Sequence, residues 1–213
     1  MPVAYCMLCS SIIYSMVYGE SLNMIVSRAV QGSSGFTLLA LSFFILAGNI
    51  MNRGGVTDRI FNFCKKTIGW IPGGLGHANV LASVVFAGMS GSAVADAGGL
   101  GAIEIKAMKD NGYDEEFAVA ITGASSCIGP IIPPTISGVV YCVASGVSVG
   151  KVVIAGILPG CCLAVVQMIY VYIAAKKREY PRTPFGGFRD LSRSFVTSFP
   201  ALLTPIIILG GII

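Results

Sequence analysis

Long stretches of this chain carry no charge at all. Residues 117–150 hold 34 consecutive positions without Asp, Glu, Lys or Arg, residues 152–175 hold 24, and residues 194–213 hold 20. Residues 67–95 add 29 more, interrupted only by His77, and residues 1–19 and 36–52 are uncharged as well. A helix needs about 20 apolar residues to cross a hydrocarbon layer about 30 Å thick. Several runs reach that length, so the pattern predicts an all-α integral membrane protein, a polytopic helical bundle.

Composition supports this. Only 11% of the 213 residues are charged while 54% are apolar, against about 25% charged in an ordinary soluble domain. Disorder is excluded by the same figures. A net charge of +4, with no basic aromatic-rich stretch, argues against a nucleic-acid partner. The run Pro2 to Gly19 lacks the positive start of a signal peptide and reads as a retained helix. The seven cysteines sit mostly inside apolar runs and read as small hydrophobes; the Cys6–Cys9 spacing has no histidine beside it.

Positive charge clusters on the cytoplasmic side of membrane proteins, which tests two topologies. If residues 78–104 cross the membrane once, the connectors' Lys and Arg divide 9 against 5. If that segment dips in and returns, connectors 53–66, 104–116 and 176–193 share one side, and the division becomes 12 against 2. The dip is preferred. It places the N-terminus in the cytoplasm and residues 20–35 outside.

Local sequence agrees. Ala78 to Met89 is an apolar helix about 18 Å long, enough to reach mid-depth. Gly88-Met89-Ser90-Gly91-Ser92 follows, then an arm through Asp96 to Lys106 and Lys109. This predicts a re-entrant helical hairpin over 78–108 with its tip at Ser90, Gly91 and Ser92. A second interruption falls within 117–145. Gly129-Pro130-Ile131-Ile132-Pro133-Pro134-Thr135 cannot continue a helix, because proline lacks an N–H and clashes with the preceding turn. One half-helix should run from Phe117 to Ile128, and a second should resume at Ile136 as a discontinuous transmembrane helix.

Irregular backbone survives inside a membrane only where protein, water or a ligand satisfies it. Two breaks at one depth can satisfy each other around an ion: carbonyls and hydroxyls suit a hard cation such as Na⁺, and half-helix N-termini suit an anion. The candidate ion- and substrate-binding residues are Ser90, Gly91, Ser92, Asp96, Gly129, Pro133, Pro134 and Thr135, with Na⁺ at Ser90, Ser92 and Thr135. Asp96 reads either as part of that site or as a structural acid on helix N-terminal N–H groups. His77 reads as interfacial, Glu104 as a solvated group at the membrane edge, and Trp70, Tyr170 and Tyr172 as interface anchors. Residues 176–193 read as a basic cytoplasmic loop facing anionic lipid. No Ser-His, Asp-Asp or HExxH constellation appears, so an enzyme is not expected and no cofactor beyond a coupling ion is needed.

Four segments also carry a family resemblance: Leu46 to Gly55 (LAGNIMNRGG), Phe86 to Asp96 (FAGMSGSAVAD), Gly129 to Ile136 (GPIIPPTI) and Ala155 to Gly160 (AGILPG). Together they resemble the large membrane subunit of TRAP (tripartite ATP-independent periplasmic) transporters from about Phe36 to Ile213. The resemblance implies an elevator-type secondary transporter of the bacterial inner membrane that takes up organic acids, dicarboxylates or sialic acid, with Na⁺. It also implies a small membrane subunit and a periplasmic substrate-binding protein as partners. The hairpin and the broken helix correspond to the family's first ion-binding repeat.

The expected organisation is an N-terminal helix and external connector over 1–35, the first transport repeat over 36–175, the basic loop over 176–193, and the opening of a truncated second repeat over 194–213. The family's inverted second repeat, with its own hairpin and break, has no counterpart here. The alternative to a transporter half is therefore an inactive or structural membrane fragment that needs a complementary chain.

Overall fold

The computed structural model describes residues 3–19, 21–33, 46, 50, 54–133, 135–182 and 187–212. Pro134 and most of the segment 46–55 lie outside the described residues. Chain contacts divide the molecule into two units, Met1–Ala40 and Leu41–Ile213. The first holds α1 (Val3–Tyr18) and α2 (Leu22–Ser33). Large apolar side chains of α1, including Met7, Ile13 and Met16, are exposed.

Every described element of the second unit is helical. They are α3 (Val56–Ile68), α4 (Gly74–Ser90), α5 (Ala93–Ala95), a π-helical turn (Asp96–Leu100), α6 (Gly101–Asp110), α7 (Glu115–Ser126), α8 (Ile136–Ser145), α9 (Val149–Arg178) and α10 (Phe188–Ile212). The elements from Ala93 to Asp110 form one continuous arm, hereafter the return arm. The core is built around α4, whose neighbours are α3, α7, α9 and α10. Ile60, Leu75, Val80, Phe86, Met89 and Leu100 are buried there.

The chain reverses between α4 and the return arm. Gly91 adopts φ 56°, ψ 18° and its N–H closes the last turn of α4 on the Ala87 carbonyl. This left-handed conformation carries a steric cost for residues with a Cβ, which is why glycine ends helices this way. Ser92 is then extended, and its hydroxyl accepts the Ala95 N–H to open the return arm. Side-chain pairs Ser83–Asp96 and Asn79–Glu104 run in antiparallel register. The element is therefore a helical hairpin folded at residues 90–92, where its sequence placed the tip.

Both ends of the hairpin lie at one end of the unit. The Leu75 N–H at the start of α4 donates to the Tyr113 hydroxyl just beyond the return arm, and that hydroxyl donates to the Pro181 carbonyl beyond α9. Tyr113, Phe117 and Tyr180 stack around this junction. Asp114 accepts from Arg178 at 2.6 Å and from the Tyr180 hydroxyl at 2.7 Å. Those donors, Tyr180 first, hold its carboxyl below the usual carboxylate range.

The proline segment interrupts the second long run. Tight i−3 turns replace the α pattern from Cys127 to Ile131, and α8 opens with the Thr135 hydroxyl accepting the Gly138 N–H at 2.8 Å. The gap agrees with the predicted break at Gly129 to Thr135 within the usual latitude of helix ends. Helix α9 supports the break. A Cβ at Gly156 would stand 2.6 Å from the Ile131 carbonyl oxygen, and one at Gly160 would stand 2.3 Å from the Ile132 side chain. Small residues four apart on α9 let the irregular backbone lie against it.

At 30 residues α9 is about 45 Å long, and it is the one described helix long and apolar enough to cross a membrane; α1 and α4 are apolar but shorter. Ile154, Leu158, Val166, Ile169 and Ile173 on α9 are exposed, as suits a helix facing lipid.

Two consequences are measurable. Gly156→Val should lower stability by about 1–3 kcal/mol through overpacking, read as a fall in thermal midpoint in detergent. The Asp114 clamp should stabilise the folded chain above the ordinary carboxylate range near pH 4 and be lost as pH falls through the depressed folded value. Asp114→Asn should therefore flatten the acid limb of the stability profile and leave the neutral-to-alkaline limb in shape.

Candidate functional site

Two groups of residues meet around the hairpin. The first is at its tip. Gly129, in the break, packs with its Cα against the turn: a Cβ there would stand 3.3 Å from the Ser92 carbonyl carbon and 3.4 Å from the Ala93 nitrogen. The tip and the broken helix are thus in backbone contact, with glycine permitting the approach. Ser90 is buried, and its hydroxyl lies 3.5 Å from the Ser92 nitrogen.

Ser92 and Thr135 share one local role. Each hydroxyl caps the N-terminus of the helical arm that follows it, satisfying an N–H that would otherwise have no partner. Thr135 also lines a cleft of about 280 Å³ behind the break, with Pro130, Ile131, Pro133, Val152 and Gly156. The lining is mostly apolar.

The second group lies inside the hairpin and went unrecognised in the sequence as a unit. Asn79 is fully buried on α4. Its amide nitrogen donates to Glu104 Oε2 at 2.7 Å and to Thr122 Oγ1 at 2.7 Å, and its Oδ1 accepts from the Ser125 hydroxyl at 2.7 Å. One turn along α4, Ser83 donates to Asp96 Oδ2 at 2.9 Å and lies 3.1 Å from the Ser125 hydroxyl. Six polar side chains from α4, the return arm and α7 therefore form one network, and Gly101 lets the return arm pack close to α7, where a Cβ would stand 2.8 Å from the Thr122 methyl.

This placement corrects the expectation for Glu104, buries His77 near the hairpin mouth, and removes one of the two readings of Asp96. Glu104 is not solvated: it is 1% exposed, bonded to Asn79, and its Oε1 has no hydrogen-bond partner. Its place on the return arm puts it opposite Asn79, and Leu100 and Met108, one turn either side, are buried with it. His77 is 5% exposed and lies inside the bundle, with Nε2 unpartnered. Asp96 is also 1% exposed, but it binds the Ser83 hydroxyl and not helix N-terminal N–H groups; Ser92 takes the Ala95 N–H instead. Its Oδ1 is unpartnered.

Asp96 opens a π-helical turn, Asp96-Ala97-Gly98-Gly99-Leu100, closed by the Gly101 N–H on the Asp96 carbonyl. Such turns recur at functional sites. One signal for the hidden network was available in the sequence. Asn79 and Ser83 stand four apart, Thr122 and Ser125 three apart, and Asp96 and Glu104 eight apart. Each pair falls on a single helix face. Composition alone gave no reason to bring the three faces together.

Removing the central amide should be costly. Asn79→Ala strands acceptors on Glu104 and Thr122, while the Ser125 hydroxyl keeps the Thr122 carbonyl, and each stranded buried group costs about 1–3 kcal/mol. A loss of about 3 kcal/mol or more in unfolding stability is expected. Ser145→Ala, at an exposed serine bonded to its own helix, should stay within about 0.5 kcal/mol.

The whole chain, residues 1–213, matches the family described as tripartite ATP-independent periplasmic transporter, DctM component. The match includes the first 35 residues, which the resemblance in the sequence had left out. Among curated proteins, the chain is 47% identical over 212 residues to the sialic acid TRAP transporter permease protein SiaT of Haemophilus influenzae, covering 99% of this chain and 34% of that protein. It is 44% identical over 215 residues to the sialic acid TRAP transporter large permease protein SiaM of Vibrio cholerae, covering 100% of this chain and 50% of that protein. It is 38% identical over 213 residues to the C4-dicarboxylate TRAP transporter large permease protein DctM of Vibrio cholerae, covering 99% and 47%. The chain thus spans between a third and a half of the length of these relatives.

Proposed function

The chain belongs to the DctM-component family of tripartite ATP-independent periplasmic transporters, and from that premise we propose that it forms one cation-binding half of a secondary transporter taking up an organic acid with Na⁺ across the bacterial inner membrane. The solute class is a sialic acid or a C4-dicarboxylate, as in the names of the relatives. The higher identity to the sialic acid permeases favours the former. A small membrane subunit, a periplasmic substrate-binding protein and a complementary second repeat would complete the machine.

The observation carrying this reading is the backbone contact between Gly129 and the Ser92–Ala93 turn. Two helix interruptions from distant parts of the chain meet there. Interrupted backbone leaves carbonyl oxygens without helical partners. Together with the hydroxyls of Ser90, Ser92 and Thr135 these are the neutral and partly charged oxygens a hard cation takes as ligands. Asp96 would support the tip from inside the hairpin through Ser83 and is not needed as a direct ligand. Elevator motion would carry this unit and its ion together through the membrane.

Re-entry of the hairpin has independent support. The start of α4, the end of the return arm and the end of α9 lie together at the Tyr113–Pro181 junction. A segment that begins and ends at one end of the bundle returns to the side from which it entered, as a re-entrant hairpin does. The positive-charge count puts that end in the cytoplasm.

Two experiments test this reading. In the intact permease containing this segment, reconstituted with its small subunit and binding protein, Ser92→Ala and Thr135→Ala should each weaken the Na⁺ dependence of sialic acid uptake about tenfold, as befits about 1.4 kcal/mol. Thr135→Ser, which keeps the hydroxyl, should stay close to the parent; unchanged Na⁺ dependence in both alanine variants would overturn the site. Separately, cysteines placed at Lys65 and Lys109 should react with an impermeant thiol reagent from the same side. Labelling from opposite sides would mean that the hairpin crosses.

The partial coverage of the relatives favours a second reading for the chain in isolation, that of a structural half which docks onto a complementary segment. Expressed alone, it should insert into the membrane without transporting. Uptake restored by co-expression with a segment bearing a second proline break would mark a split transporter.

A further inference from the structure

We propose that Glu104 is a proton-binding site inside the helical hairpin, its carboxyl carrying a proton taken from water, with Asp96 as the ionised member of the pair. The inference does not depend on the Na⁺ site at the tip.

Two carboxyl groups are 1% exposed, joined through one network, and lack any basic partner. The ion pairs of the described residues, Lys109–Glu115 and Arg178–Asp114, are elsewhere and exposed. The network supplies Glu104 with a single donor, Asn79, while Asp96 has the Ser83 hydroxyl and, beside it, that of Ser126. Asn79 gives one hydrogen to Glu104 Oε2 and the other to Thr122; Ser83 gives its hydrogen to Asp96 Oδ2. Asp96 Oδ1 and Glu104 Oε1 receive nothing. Two buried anions with no cation between them would each carry a desolvation cost of several kcal/mol and repel one another. One added proton removes one of the charges and the repulsion, and it needs no cavity.

The fold decides which acid takes it. Asp96 lies in the first turns of the return arm, four residues after its Ser92 cap. There the positive end of the helix dipole favours a negative charge, an effect that fades beyond the first turn. Glu104 lies eight residues further on, about 12 Å along the arm, and its closest charged neighbour in the network is the Asp96 carboxylate. With the proton on Oε1, Oε2 remains a carbonyl-type acceptor for the Asn79 amide, so the observed bond is kept.

The groups facing Glu104 are few. Asn79 and Ser83 come from α4, and Thr122 and Ser125 from α7. The titratable neighbours are Asp96 on the same arm and Cys64 on α3, close enough to feel Glu104 electrostatically. His77 stands two residues from Asn79, on a different side of α4. Lys65 on α3 is half-buried, and the other charged side chains of α3, α6, α7, α9 and α10 are exposed. Losing the proton to water requires the two hairpin arms to part, so proton occupancy and hairpin closure are linked.

Infrared difference spectroscopy of the purified chain in lipid nanodiscs, between neutral and alkaline pH, reads the site directly. A protonated-carboxyl C=O band should be present at neutral pH, vanish at alkaline pH, and exchange slowly in D₂O. It should shift when the chain is made with carboxyl-¹³C glutamate and stay in place with carboxyl-¹³C aspartate. Glu104→Gln should abolish it, and Asp96→Asn should leave it present. Absence of the band from the unaltered chain at neutral pH, or a shift with labelled aspartate alone, overturns the proposal. The isotope result stands even where Glu104→Gln does not fold.

Discussion

A primary amide sealed away from water must find its hydrogen-bond partners within the protein, and Asn79 finds three. That requirement locks α4, the return arm and α7 to one another at a single depth. An amide–carbonyl hydrogen bond is worth about 4–6 kcal/mol in an apolar medium, where no water competes for the groups. The network therefore acts as a positional restraint. The hairpin closes on Asn79–Glu104 and again, nearer the tip, on Ser83–Asp96. Where the tip can sit relative to the break follows from those two closures.

The tip and the break then use the same local device. In each, an extended residue carries the hydroxyl that caps the next helix: Ser92 for the return arm, Thr135 for α8. Glycine at 129 lets these two irregular segments touch, and the Gly156–Gly160 face of α9 backs Ile131, Ile132 and Pro133. Irregular backbone is tolerated inside an apolar protein when each polar group has somewhere to go. Here the hydroxyl caps, the tight turns after Ser126 and the surface of α9 all contribute.

The hairpin and the break were legible because their causes are local. Gly91 can take the left-handed conformation a helix end requires. Three prolines within 130–134 remove donors that no neighbour can restore. The buried acids were not legible in the same way. Glu104, beside Lys106 and Lys109, has the sequence context of a residue at an aqueous edge. Only the antiparallel return of the arm carries it back against Asn79. His77 likewise stands on a stretch rich in glycine that reads as a boundary, yet packing against neighbouring helices closes over it. Asp96 looked equally suited to a cap or to an ion, and its actual partner, Ser83, is on the other arm.

By itself the sequence determined the solvent, the helical class, the positions of both interruptions and the family, because each rests on the apolar length of a run or on the backbone chemistry of glycine and proline. The tertiary structure alone decided which polar side chains share a buried space. Hydrogen bonds such as Asn79–Ser125 join residues 46 positions apart, and no local propensity encodes such a distance. Burial then changes what those groups must do, since an acid that water would ionise freely has to find a donor or a proton once the helices close around it.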